Sequence, residues 1–162
     1  MTRSAPRRGD ATNRPVFHAS AVAHHGRGCV ILGAAGSGKT SLALGMIALG
    51  ADLVADDRVA IADTASGPAL APVPHLAGLV EIRGAGILKL ARHAAAAPLW
   101  LAADLDRSES ERMPPRREIE LAGHSVPVIA CAGWSGAAAA LMAILAAGVL
   151  PDPEYFAHEG TP

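Results

Sequence analysis

The sequence predicts an α/β fold with a mixed sheet and flanking helices, and three observations lead to this prediction. A glycine-rich loop stands between a short apolar run and a stretch rich in leucine, alanine and methionine, an order typical of strand–loop–helix units. Glycine and proline separate the other short apolar runs, as they do in strands joined by turns. With 162 residues, 51% of them apolar, the chain can bury the core of one domain.

The predicted elements follow from the positions of these runs. A strand-like stretch covers 16–23, and a turn leads to a buried strand at 29–32. The first helix covers 41–49, and a second buried strand at 53–55 completes a βαβ unit. Short strands and a final helix complete the prediction: 58–61, 79–82, 99–105, 119–121 and 126–130, then the helix at 136–147. The charged stretch 104–118 is predicted to be a surface loop.

The predicted domain covers residues 15–151. The arginine-bearing segment 1–14 lacks the apolar stretch of a secretory signal, so we expect a mobile tail there and another at 152–162. The uncharged stretch 126–150 is as long as a membrane span, but it contains a proline and three glycines, and alanine is its most frequent apolar residue. A strand followed by a core helix is the better prediction.

The net charge limits the partners that we expect for the protein, and the cysteine content indicates its cellular compartment. Fourteen basic and fifteen acidic residues leave a net charge of −1, so no basic field is expected to hold nucleic acid or a membrane. The two cysteines, Cys29 and Cys131, lie in apolar runs and cannot form the framework of a secreted scaffold. We therefore expect a cytoplasmic protein. The sequence leaves the oligomeric state open, a homo-oligomer included.

The strongest functional motif is the glycine-rich loop, which matches the pattern G-x-x-x-x-G-K-[ST] between a strand and a helix. Its glycines let backbone N–H groups turn towards phosphate oxygens, and the helix adds the positive end of its dipole. Lys39 is predicted to reach the terminal phosphates of ATP, and Thr40 to give its hydroxyl to Mg²⁺. The residues of this phosphate loop are Gly33, Ala34, Ala35, Gly36, Ser37, Gly38, Lys39 and Thr40.

Two adjacent carboxylates, Asp56 and Asp57, follow the next buried strand. Ligands of open α/β sheets bind at this end of the strands, so one carboxylate can hold Mg²⁺ and the other can accept a proton. A solvated turn paired with Arg58 is the alternative for these residues. Glu81 is a third candidate acid, with an exposed strand residue as the alternative. His18 could take part in proton transfer, although a lone strand histidine is usually structural.

Together, the phosphate loop and the stretches 50–59 and 81–87 resemble HPr kinase/phosphorylase. That family phosphorylates a serine of the sugar-transport phosphocarrier protein HPr, and its catalytic domain is related in fold to phosphoenolpyruvate carboxykinase. The likeness covers about 18–87 and, weakly, 123–147. It implies a P-loop kinase domain of the short form, without a regulatory domain before it.

The resemblance also implies roles for individual residues. Lys39 is similar to the family's phosphate-loop lysine, His18 to its catalytic histidine, and Asp56 and Asp57 to its catalytic aspartate pair. On the metal side it implies Thr40, Asp57 and Glu81, with Thr40 in place of the usual serine. The family's late proline-glycine-arginine segment is not recognisable at 132–136, which puts the reverse, phosphorylase reaction in doubt.

The sequence therefore predicts an ATP- and Mg²⁺-dependent serine kinase that acts on HPr. Two other hypotheses stay open. One is a P-loop kinase that acts on a small metabolite. The other is a nucleotide-binding regulatory module of the phosphotransferase system with little catalysis.

Overall fold

Eleven strands and two α-helices make up the part of the chain that the computed structural model describes, residues 14–155. The strands are β1 (Val16–Phe17), β2 (Ser20–His24), β3 (Arg27–Leu32), β4 (Asp52–Ala55), β5 (Val59–Thr64), β6 (Gly67–Pro72), β7 (Leu79–Ile82), β8 (Gly86–Lys89), β9 (Ala97–Asp104), β10 (Arg117–Leu121) and β11 (His124–Ala130). The helices are α1 (Lys39–Ala48) and α2 (Ala137–Ala147), with a 3₁₀ turn at Pro74–Leu76. Residues 1–13 and 156–162, most of the two predicted tails, lie outside the described residues.

Nine strands form one mixed sheet, in which β3 lies between β9 and β2. The strand order is β1-β5-β6-β9-β3-β2-β4, and β10 and β11 extend the sheet from β9. Strand β9 pairs with β6 through its first residues and with β11 through its last residues. The sheet therefore splits into two branches at β9. Strands β3, β9 and β11 are parallel, which brings their carboxyl ends to one edge. The hairpin of β7 and β8 forms a separate two-stranded sheet.

Both helices pack on one face of the sheet. Their buried residues share a cluster with the inward side chains of β3 and β9, among them Ile31 and Leu101. The helices also contact each other closely, because α1 carries Gly45 where a Cβ atom would lie 3.2 Å from Ala138 Cβ. A second apolar cluster, with Val30 and Leu70, covers the opposite face. Since the sheet is buried on both faces, its inner strands are continuous apolar runs.

The α/β mixed sheet with flanking helices is confirmed, and most predicted elements lie within two residues of their expected ends. The predicted strand 16–23 is divided, because His18 and Ala19 separate β1, which pairs with β5, from β2, which pairs with β3 and β4. The two parallel strands of the βαβ unit, β3 and β4, are therefore not direct neighbours. The stretch 126–150 forms β11 and α2, and no helix among residues 14–155 is long and apolar enough to span a membrane.

Candidate active site

The phosphate loop connects the carboxyl end of β3 to the first turn of α1. Gly36 and Gly38 have φ angles of 78° and 98°, in the left-handed region where side chains other than glycine are strained. Gly33 is required for another reason, since a Cβ atom there would collide with Ser37 Oγ. The loop closes on itself through a hydrogen bond from Ser37 N–H to the Ala34 carbonyl, at 3.2 Å. This backbone path leads directly into the N-terminus of α1.

Lys39 is buried and anchored to the start of the same loop. Its Nζ atom donates hydrogen bonds to the carbonyl oxygens of Gly33 and Ala34, both at 2.9 Å. Burial lowers the pKa of Lys39 from its ordinary value, while nearby carboxylates oppose this effect because they favour the charged ammonium. These carboxylates are, in order of their effect, Asp106, Asp57 and Asp56. The negative charge of these three carboxylates therefore favours the protonated form of Lys39.

Asp56 is buried at the end of β4 and links four elements through its carboxylate. Oδ1 accepts hydrogen bonds from Thr40 Oγ1 at 2.9 Å and from Ser20 Oγ at 2.6 Å. Oδ2 accepts the backbone N–H of Glu81 at 3.3 Å. The Asp56 carboxylate thus fixes the position of the Thr40 hydroxyl relative to β2, β4 and β7.

Asp57 has a different environment, because the chain turns sharply at this residue. Its φ angle is 65°, and the Arg58 N–H donates to the Asp56 carbonyl oxygen at 2.8 Å, closing a three-residue turn. The turn leaves the Asp57 side chain 64% exposed, and its Oδ1 lies 3.0 Å from His18 Nδ1. His18 Nδ1 also lies 3.2 Å from the Asp57 carbonyl oxygen. The two neighbouring aspartates therefore have separate partners.

The structure brings most of the sequence-predicted residues together by direct contacts. Thr40 contacts Asp56, His18 contacts Asp57, and Glu81 contacts Asp56 through its backbone N–H, while its own side chain is exposed. Within residues 14–155 no group of three or more His, Cys, Asp or Glu side chains is arranged to hold a metal ion. The roles assigned to these residues from the sequence stay predictions.

Comparisons with known proteins identify the family to which the chain belongs. Residues 10–96 match the model of the family described as HPr Serine kinase C-terminal domain. The chain belongs to this family. The match covers more than half of the chain, and it contains β1 to β8, the phosphate loop, both aspartates and His18.

Curated members of the HPr kinase family are similar over a shorter stretch. The chain is 44% identical over 66 residues to an HPr kinase/phosphorylase of Bordetella pertussis, a match that covers 40% of this chain and 21% of the relative. It is 42% identical over 67 residues to the HPr kinase/phosphorylase of Brevibacillus brevis, covering 41% and 22%. The chain thus spans about a fifth of the length of the curated relatives it matches.

A solved structure of an HPr kinase has the same fold. The Hpr(Ser) kinase/phosphatase of Coxiella burnetii superposes with a TM-score of 0.71 at 21% sequence identity, over 83% of this chain and 90% of that chain. At 21% sequence identity, the structural similarity shows that the two proteins share a fold. The expected resemblance to the HPr kinase family is confirmed.

Sequence reasoning missed two groups that contact the candidate site. Ser20, on β2, donates to Asp56, and Asp106 accepts the Ala34 N–H at 2.8 Å from the opposite side of the phosphate loop. Asp106 falls within the stretch that was predicted to be a surface loop. The sequence does contain a signal for a functional turn at this position. Asp104 ends the apolar strand β9, just as Asp56 directly follows β4.

Proposed function

We propose that this chain is an ATP-dependent kinase that uses Mg²⁺ and acts in the cytoplasm to phosphorylate a serine of an HPr-type carrier protein. The observation that carries the proposal is the pair of contacts Thr40–Asp56 and His18–Asp57 beside one phosphate loop. They supply separate groups for metal binding and for proton transfer, the two tasks that phosphoryl transfer to a hydroxyl requires. Family membership supports HPr as the acceptor.

The phosphate loop would hold the polyphosphate of ATP through its backbone N–H groups and the N-terminus of α1. Lys39 would contact the terminal phosphates without losing its anchor, because an ammonium has three N–H donors and two are used for Gly33 and Ala34. Such fixed charges stabilise a transition state without having to reorganise during the reaction.

The side chains around Thr40 fit Mg²⁺. The Thr40 hydroxyl and the Asp56 carboxylate are hard oxygen donors 2.9 Å apart, and Mg²⁺ in kinases takes one or two protein oxygens together with phosphates and water. When bound, the ion neutralises charge on the phosphate oxygens. The resemblance to the family implies Asp57 on the metal side. The contact with Thr40 favours Asp56 instead, while the exposed Glu81 side chain stays a candidate third ligand.

Asp57 is then the group available as general base. The serine hydroxyl would give its proton to the Asp57 carboxylate while Oγ forms a bond to the γ-phosphorus and the bond to the ADP oxygen breaks. His18, with its proton on Nδ1, donates to the Asp57 carbonyl oxygen, and the same nitrogen lies 3.0 Å from Asp57 Oδ1, which keeps the imidazole beside the carboxylate. The exposure of both side chains leaves room for a protein acceptor.

The acceptor is tested by incubating the protein with γ-labelled ATP and Mg²⁺, with HPr from the same cell, with cell metabolites, or alone. The proposal expects acid-stable label on HPr, because phosphoserine survives acid and phosphohistidine does not. Label on a small molecule would favour a metabolite kinase. Nucleotide binding without transfer to any acceptor would favour the regulatory module.

We further propose that the forward reaction is faster than the phosphorylase reaction. Attack of inorganic phosphate on phosphoserine must bring two anions together, and the segment Ala132–Gly136 has no arginine to assist. Forward transfer can use Lys39 of the protein together with the Mg²⁺ that arrives with ATP. Measuring both rates on one preparation tests this proposal, and a phosphorylase rate equal to or above the kinase rate contradicts it.

A further inference from the structure

A carboxylate from the turn that follows β9 holds the first residues of the phosphate loop. Asp106 lies two residues after the end of β9, the parallel neighbour of β3. Its Oδ1 accepts the backbone N–H of Ala34 at 2.8 Å. The carbonyl oxygen of the same Ala34 accepts a hydrogen bond from Lys39 Nζ at 2.9 Å. Asp106 therefore holds the residue to which the phosphate-loop lysine is anchored.

The position of Asp106 is itself fixed by its neighbours. The Asp106 N–H donates to Oδ1 of the buried Asp104 at 2.9 Å. The Leu105 N–H donates to the Leu32 carbonyl oxygen at 2.8 Å, which connects this turn to the end of β3. On the other side, the Cys131 N–H donates to the Asp104 carbonyl oxygen at 2.8 Å. The turn is thus tied to both parallel neighbours of β9.

We propose that Asp106 is a positioning residue for nucleotide phosphates, acting through Ala34 and Lys39. The inference rests on the proposed function, since it assumes that the loop binds ATP. A carboxylate accepts a shorter and stronger hydrogen bond from an N–H group than a neutral oxygen does, so it restricts the Ala34 peptide more firmly. The Ala34 N–H and the Gly33 carbonyl belong to one peptide group, so Asp106 restrains the Gly33 acceptor of Lys39 directly. It restrains the Ala34 acceptor, which lies in the next peptide group, only through the chain.

The charge of Asp106 has a second effect on the same lysine. Among the carboxylates that raise the pKa of Lys39 against the effect of burial, Asp106 has the largest influence. The Asp106 carboxylate therefore places a negative charge that attracts the Lys39 ammonium, in addition to its hydrogen bond with Ala34. Position and charge are separate contributions, and substitutions can distinguish them.

The test compares three variants of Asp106 with a matched control. Asp106→Asn keeps an oxygen acceptor in place without the charge, Asp106→Glu keeps the charge but displaces the oxygen by one methylene, and Asp106→Ala removes both. Asp63→Asn is the control, because Asp63 is an exposed aspartate on β5 whose partner is His124. The readouts are the Kd of a fluorescent ATP analogue, the KM for ATP and for HPr, and the Tm.

We expect Asp106→Ala and Asp106→Glu to weaken nucleotide binding about tenfold or more, the size of one hydrogen bond to a charged group. Asp106→Asn should stay within about threefold of wild type, and the KM for HPr should not change in any variant. Unchanged nucleotide affinity in Asp106→Ala, even with a lower Tm, would overturn the proposal. Nucleotide affinity as low in Asp106→Asn as in Asp106→Ala would also overturn it. The effect would then come from the charge of Asp106 and not from the position of its oxygen atom.

Nucleotide binding is measured without HPr, so this test is separate from the test of the kinase. Wild-type protein that binds nucleotide but never phosphorylates HPr would contradict the kinase while the Asp106 variants still decide the inference. Wild-type protein that binds no nucleotide would contradict both.

Discussion

His18 Nδ1 lies 3.0 Å from Asp57 Oδ1, while the adjacent Asp56 is buried and bonded to Thr40. Two carboxylates that are neighbours in the sequence thus face different partners. The left-handed backbone of Asp57 makes this separation, because it turns the chain between one side chain and the next. The same turn gives the proposed kinase a base that is distinct from its metal-side acid.

Replacing each aspartate by asparagine should therefore give different kinetic results. Asp57→Asn removes the proposed base, so we expect kcat to fall by about 10²–10⁴-fold with little change in nucleotide affinity. Asp56→Asn removes charge beside Thr40, so we expect a higher Mg²⁺ concentration for half-maximal rate. Steady-state rates over a Mg²⁺ series check both expectations. The reverse pattern would exchange the two roles.

The turn at Asp57 should reduce the stability of the protein. A left-handed residue other than glycine costs on the order of 1–3 kcal/mol, and glycine largely avoids this cost. Asp57→Gly and Asp57→Ala both remove the side-chain contact with His18 and keep the contact with the carbonyl oxygen, so their difference isolates the backbone. We expect Asp57→Gly to be more stable than Asp57→Ala by about 1 kcal/mol in denaturant unfolding. Equal stabilities would show that the turn is unstrained.

Cys131 should make the fold sensitive to alkali. Burial, together with the charge of Asp104, raises the pKa of this thiol from 9.0 to about 11. The folded state therefore keeps a proton that the unfolded state loses, so stability is complete below about pH 9 and falls as pH rises towards 11. Denaturant unfolding across this range should show a smaller loss for Cys131→Ala than for wild type. Identical losses would contradict the assignment.

The β7–β8 hairpin is the surface on which we expect HPr to dock. Ile87 and Leu88 are 72% and 43% exposed on this hairpin, and its Glu81 N–H contacts Asp56. Burying one such side chain is worth about 1.5–3 kcal/mol, so Ile87→Ser should raise the KM for HPr about tenfold and leave nucleotide affinity unchanged. Val149→Ser is the matched control, since Val149 is 66% exposed and lies after α2. Equal effects of the two substitutions would exclude a specific role for the hairpin.

The sequence predicted those parts of the fold whose patterns are local. The strand, glycine loop and helix at 29–49 depend on neighbouring residues, and they form as expected. Strands β6 and β8 were not predicted, because β6 contains two prolines and is held by pairing with β5, while every residue of β8 is exposed. Neither strand has the alternating pattern that identifies a strand in isolation.

The site was predictable to a similar extent. The motif located the phosphate loop, and strand ends located Asp56 and Asp57. Their different partners depend on one backbone angle, which the sequence does not specify. The contact between Asp106 and Ala34 joins residues 72 positions apart and depends on the pairing of β3 with β9. Such a contact becomes apparent only when the strand order is known.

The most direct test of the kinase is the intact mass of HPr after incubation with ATP, Mg²⁺ and this protein, wild type and Lys39→Ala in parallel. We expect wild-type protein to add one phosphate to a serine of HPr. Lys39→Ala should add almost none while keeping a folded spectrum, because the buried ammonium is the group anchored to the loop. Unchanged HPr with wild-type protein that binds nucleotide, or equal phosphorylation by Lys39→Ala, would contradict it.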